Sequence, residues 1–108
     1  MMTKVLFVCS QNKLRSPTAE AIFSGEPNLE VRSAGLNNNA EIPLGADDVQ
    51  WAEIIFVMEQ AQKSKLKKKY KDILDKQRVI CLGIPDNYDY MDPKLIKIFE
   101  NNVPQFLP

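Results

Sequence analysis

The chain has 108 residues, with 14 Lys plus Arg against 14 Asp plus Glu, 44% hydrophobic residues and no His. That length suits one domain over residues 1–108 with a core of its own. The charge balance gives no general attraction to nucleic acid or to an anionic membrane, and the missing His removes Ser-His-Asp and Cys-His catalysis and most zinc sites.

The N-terminal stretch MMTKVLFVC has too short an apolar run for a signal segment or a membrane span. Within it, Val5–Val8 reads as a strand buried on both faces of a parallel sheet. The polar loop SQNKLR follows. Ser16 and Pro17 then mark a helix start, with Ser as cap and Pro in the first turn. The helix continues through TAEAIFS, and Gly25 supplies a stop. Leu29–Arg32 alternates apolar and polar residues as a second strand. NNNAEIPLG is a loop by its Asn, Pro and Gly content, and ADDVQWA a short helix. EIIFVME is a third, fully buried strand, with Trp51 before it assigned to the core. In QKSKLKKKYKDILDK, Leu66, Tyr70, Ile73 and Leu74 fall at helical spacing. The run Lys63–Lys71 is then a solvated face rather than a docking patch. RVICL is a fourth strand, with Cys81 as an inert small hydrophobe inside it. GIPDNYDYM is a loop, and DPKLIKIFENNV a terminal helix capped by Asp92 with Pro93 in its first turn.

Strands alternating with helices imply an α/β fold: a single domain with a four-stranded parallel sheet, flanked by helices through right-handed crossovers. Ligands of such sheets bind at the carboxyl ends of the strands. Cys9 stands at that end of the first strand. The two cysteines, Cys9 and Cys81, are far apart and form no disulfide framework, which points to a reduced, cytoplasmic setting.

A loop that leaves a strand and enters a helix aims backbone N–H groups at one centre, where the helix terminus adds positive potential. Such a nest holds a phosphate-like anion. Ser10, Gln11, Asn12, Lys13, Leu14, Arg15 and Ser16 are its candidate residues. Arg15 adds a fork suited to two phosphate oxygens. A cysteine at the base of the nest is favoured as a thiolate and lies in line for attack on phosphorus. The stretch CSQNKLR therefore combines a nucleophile with an anion clamp.

This stretch resembles the C-x5-R-S signature of the low-molecular-weight protein tyrosine phosphatase family, whose loop reads C-x-G-N-x-C-R-S. The resemblance implies that Cys9 is the nucleophile, Asn12 the loop brace, Arg15 the phosphate ligand and Ser16 the hydroxyl supporting the thiolate. The SAG at Ser33–Gly35 is similar to the family's SAG after its second strand, which makes Ser33 a further loop brace. EIIFVME resembles the family's third strand, ending in Met and an acidic residue, and the late acidic loop matches in order. The likeness implies a metal-independent, cofactor-free cysteine phosphatase acting on phosphotyrosine protein or a small phosphomonoester, with no nucleic-acid or membrane partner. Two loop positions depart from the pattern: Gln11 replaces Gly, and Leu14 replaces a second Cys, so Cys9 has no resolving thiol within the loop. The segment LNNNAEIPLGADDVQWA stands where the family has a longer loop and helix that form part of the substrate cleft wall.

A phosphomonoester needs a proton for its leaving oxygen, and without His a carboxylic acid must supply it. Asp86, Asp89 and Asp92 share one loop. The family's acid lies in a D-P-Y motif, which points literally to Asp92-Pro93, but that pair is accounted for as a helix cap and first turn. Asp86 lies nearest the fourth strand and precedes Asn87-Tyr88; it is the expected acid, with Asp89 as the alternative. Tyr88 and Tyr90 are expected to line the cleft mouth. Glu59 is expected to cap or start the lysine-rich helix. Two other functions compete: an arsenate reductase, which would need Cys81 as a relay thiol, and a non-catalytic phosphate-recognition module.

Overall fold

The computed structural model describes residues 2–108. Four strands, β1 (Thr3–Cys9), β2 (Leu29–Gly35), β3 (Ile54–Val57) and β4 (Arg78–Cys81), form one parallel sheet in the order β2-β1-β3-β4. The helices are α1 (Arg15–Phe23), α2 (Ala46–Trp51), α3 (Gln60–Lys69) and α4 (Pro93–Asn102). The expected four-stranded α/β architecture is therefore observed, with the Cys9 loop directly after β1. No helix of the described residues is long and apolar enough to cross a membrane.

The side chains of β1 alternate between two cores, as the pleat requires. Val5, Phe7 and Cys9 face a cluster with Ala19 and Phe23 of α1 and Leu95 and Phe99 of α4. Leu6 and Val8 face the other cluster, with Val49 of α2 and Leu66 of α3. Phe7 centres the first core, with its ring centroid 5.3 Å from Phe56, 5.7 Å from Phe23 and 6.0 Å from Phe99. The chain reverses direction across the sheet between β1 and β3. That switch point opens a crevice at the carboxyl end of β1, where Cys9 stands.

Several local expectations are corrected. Ser16 does not cap α1; the N-cap is Leu14, without a side-chain cap bond, because the Ser16 hydroxyl faces Cys9 instead. Gly25 does follow the Ser24 C-cap directly, as expected of a stop, though the left-handed residue before β2 is Asn28 (φ 71°). β2 runs on to Gly35 instead of ending at Arg32, pairing in register along all of β1. The lysine-rich helix ends at Lys69 instead of running on to Lys76. Tyr70 is held by its hydroxyl on Leu44 O, at 3.1 Å, and Ile73 and Leu74 reach the core from a turn. Trp51 is half-buried beneath the Arg32 guanidinium, 4.1 Å above its ring centroid. β4 is an edge strand, so Cys81 is half-buried at its last position.

Candidate active site

The chain turns back on itself between Cys9 and Arg15. Asn12 takes the left-handed conformation (φ 56°), which Asn tolerates better than other residues with a side chain. The turn brings the Asn12 N–H to Cys9 Sγ at 3.2 Å. Gln11 has no positive φ, so a side chain is accommodated where the family pattern has Gly. The carbonyls of Cys9, Ser10 and Gln11 accept from the amides of Leu36, Asn37 and Glu41 at 2.9, 3.0 and 2.9 Å. These bonds tie the loop's acceptors to the segment after β2. Gly35 allows the approach: a Cβ there would collide with the Ala40 Cβ and lie 2.7 Å from Ser10 O. The Gly of SAG is thus required by packing against this loop.

Behind the loop runs a chain of side-chain hydrogen bonds. Asn12 Nδ2 donates to Ser16 Oγ and to Ser33 Oγ, both at 3.0 Å. An amide nitrogen only donates, so each serine turns its own proton outward. Ser33 Oγ donates to Glu20 Oε1 at 2.6 Å. Ser16 Oγ lies 3.0 Å from Cys9 Sγ, where its hydroxyl can donate to the thiolate. Cys9 therefore faces two donors, the Ser16 hydroxyl and the Asn12 amide. No buried side-chain N or O of the described residues lacks a partner.

Arg15, 3% exposed, is fixed from three sides. Its Nη1 donates to Glu59 Oε2 at 2.6 Å and to Ile84 O at 2.7 Å, and its Nε lies 3.7 Å from Asp86 Oδ1. Both Nη1 protons are thereby engaged, which leaves the Nε–Nη2 edge for a ligand. Glu59 occupies the backbone cap position of α3, but its carboxylate serves Arg15. The cap amide donates instead to Gln62 Oε1 at 3.0 Å, and Gln62 Nε2 reaches Ser10 Oγ at 3.2 Å. Glu20, Glu59 and Gln62 were absent from the sequence-derived site. A carboxylate directly after an apolar strand, at its ligand-binding end, was the available signal for Glu59. Nothing in the spacing marked Glu20 or Gln62.

A cavity of about 100 Å³ lies over the loop, lined by Cys9, Ser10, Gln11, Lys13, Leu14, Arg15 and Asp86. Of the three candidate acids, Asp86 alone lines it. Asp92 caps α4, its Oδ1 accepting from the Lys94 N–H at 2.8 Å. Asp89 is exposed in the turn before that cap, accepting from the Asp92 N–H at 3.1 Å. Neither tyrosine lines the cavity: Tyr88 packs against the Phe7 core, and Tyr90 borders a neighbouring groove. Cys81 packs against the α2–α3 core, whereas Cys9 faces the α1–α4 core. The two thiols lie on opposite faces of the sheet, two strands apart in register. At a strand spacing of about 4.8 Å they stand too far apart to bridge.

Residues 4–46 match the family model described as low molecular weight phosphotyrosine protein phosphatase. No curated protein sequence matches the chain. Among solved structures, the low molecular weight protein tyrosine phosphatase SP-PTP from Streptococcus pyogenes superposes with a TM-score of 0.81 at 16% identity, covering 99% of this chain and 95% of its own. The YwlE arginine phosphatase from Geobacillus stearothermophilus gives 0.74 at 20% identity, with 96% and 92% coverage. The tyrosine phosphatase Wzb from Escherichia coli K30, in complex with phosphate, gives 0.77 at 16% identity, with 98% and 96% coverage. This chain carries the sequence signature of the low-molecular-weight protein tyrosine phosphatase family over residues 4–46, on that family's fold.

Proposed function

We propose that the protein is a metal-independent cysteine phosphatase that hydrolyses phosphomonoesters, with protein phosphotyrosine as its substrate class. One observation carries this reading: Cys9 with its two donors, Arg15 and Asp86 border the same small cavity. The Cys9 thiolate attacks phosphorus and the ester P–O bond breaks as S–P forms. The Arg15 Nε–Nη2 edge and the loop amides hold the non-bridging oxygens, whose charge is greatest in the transition state. Asp86 gives its proton to the leaving oxygen. The Asp86 carboxylate then takes a proton from water as water attacks the phosphocysteine. Phosphate leaves and the thiolate returns, stabilised by the Ser16 hydroxyl.

Lys13, a basic residue among those lining the cavity, supports the choice of ester. A phosphotyrosine ring is neutral there, whereas a phosphoguanidinium would bring a like charge. The separation of Cys9 from Cys81 argues against a disulfide relay and hence against arsenate reduction. A recognition module would have no use for a thiol braced by two donors.

The test is hydrolysis of p-nitrophenyl phosphate in EDTA by wild type and Cys9→Ser, followed by phosphotyrosine and phosphoarginine peptides. Turnover lost in Cys9→Ser, with phosphotyrosine preferred, is the expected result. Negligible rates in both proteins would refute catalysis and leave an anion-binding loop. Preference for phosphoarginine would overturn the substrate assignment alone.

A further inference from the structure

We infer that the groove beside the catalytic cavity, between Tyr90 on one side and Glu41 and Ile42 on the other, is a subsite for a basic side chain flanking the phosphorylated residue of a protein substrate. The inference rests on the phosphatase reading of the Cys9 cavity and adds what the substrate carries next to its phosphate.

The groove encloses about 410 Å³ and includes Lys13, Glu20, Glu41, Ile42 and Tyr90 in its lining. Lys13 also lines the cavity above Cys9, so a single residue stands between the two spaces. A phosphorylated residue in the cavity leads its neighbour into the groove.

Apolar exposure is concentrated there. The exposed large hydrophobic residues among those described are Met2, Ile42, Tyr90 and Met91. Ile42 (55% exposed) and Tyr90 (54%) face the groove, and Met91 follows Tyr90 in the chain. Apolar surface gathered beside a cavity marks a contact site for another molecule. The backbone there is set: Met91 sits at φ 59°, costly for a residue with a long side chain, while its N–H donates to Thr18 Oγ1 of α1 at 2.9 Å. Opposite, the Glu41 N–H is bonded to Gln11 O at 2.9 Å, so the second wall is tied to the phosphate loop itself.

Charge decides the occupant. Glu20 and Glu41 bring two carboxylates against one ammonium, Lys13. Glu20 uses Oε1 for Ser33 and retains a second carboxylate oxygen as an acceptor. A purely apolar residue would leave the carboxylates unanswered, and an acidic one would be repelled. Arg or Lys meets both demands: the aliphatic stem lies along Ile42 and Tyr90 and the charged head meets Glu20 and Glu41, with the Tyr90 ring as a further cation partner.

The experiment is kcat/KM for phosphotyrosine peptides with Arg, Ala or Glu at each of the three positions on either side, using wild type, Glu41→Lys and Ile42→Asp. Dissociation constants of the same peptides for Cys9→Ser are measured in parallel. At one position Arg is expected to exceed Ala by roughly threefold to tenfold, the worth of one or two partly exposed ion pairs, with Glu below Ala. Glu41→Lys is expected to lose that ranking, Ile42→Asp, which adds a carboxylate to the groove, is expected to keep it, and both are expected to hydrolyse p-nitrophenyl phosphate at the wild-type rate. A flat profile, a preference for Glu, or an Arg preference that survives Glu41→Lys would overturn the subsite. If p-nitrophenyl phosphate is not hydrolysed, the phosphatase reading fails, and the affinity ranking by itself decides whether the groove selects a basic neighbour.

Discussion

Glu59 and Arg15, 44 residues apart, meet at 2.6 Å, with the arginine buried and the carboxylate half-exposed. The pair fixes one edge of the guanidinium and aims the other at the cavity. Glu59→Ala should release that aim and leave a buried cation with one partner fewer. The expected loss in kcat on p-nitrophenyl phosphate is about 10- to 100-fold, the usual cost of a displacement near 1 Å. Steady-state kinetics, with inhibition by inorganic phosphate measured alongside, check it; an unchanged kcat would show that the Ile84 carbonyl alone suffices.

Gly35→Ala tests the contact between β2 and the phosphate loop. The added methyl meets Ala40 and the loop backbone, and neither can yield without moving the residues that hold Cys9. Overpacking of this kind costs about 1–3 kcal/mol. Activity should fall together with the urea midpoint, and a variant as stable and active as wild type would show that the loop shifts freely.

The acid assignment separates cleanly by position. Asp86→Asn should lower kcat roughly 10²- to 10⁴-fold, and Asp89→Asn should leave it unchanged. Asp92→Ala should retain activity but lose about 1 kcal/mol of stability, because Asp92 caps α4. Rates and melting curves of the three variants decide the matter; a large rate loss in Asp89→Asn with Asp86→Asn near wild type would reverse the assignment.

Tyr70 gives the protein an alkaline limit. Burial, reinforced by Asp48 and Asp47, raises its hydroxyl above the ordinary value of 10.0. A proton held more tightly in the folded state contributes stability that is fully present below pH 10. That contribution is lost as pH rises from there through the raised folded value. Tyr70→Phe should therefore lose less stability than wild type as pH rises above 10.0. Urea unfolding at stepped pH measures the difference, and parallel curves for the two proteins would exclude Tyr70 as the cause.

The sequence by itself determined the local pieces. The run Val5–Val8 is apolar at every position and has no stable home other than a strand covered on both faces. Ser16-Pro17 after a polar loop turns the chain from strand to helix, and Asp92-Pro93 closes a helix start on its own backbone. These features act within a few residues, so composition and spacing reveal them. The pairing of Cys9 with Arg15 was legible for the same reason, since the two residues flank a single turn. Tertiary structure decided what depends on partners far along the chain. Glu59 looks like a helix cap until β3 is placed beside β1, which delivers its carboxylate to Arg15. Ser16 looks like a cap until Asn12 and Cys9 close around its hydroxyl. Position along the loop favoured Asp86 over Asp89 and Asp92 in sequence, but only the packing at the carboxyl end of β4 brings Asp86 to Arg15. Cys81 passes for a buried strand residue until the sheet order sets β4 at the edge and the pleat turns it away from Cys9. Each of these outcomes follows from strand order and side-chain direction, which the packing of two cores against one sheet decides.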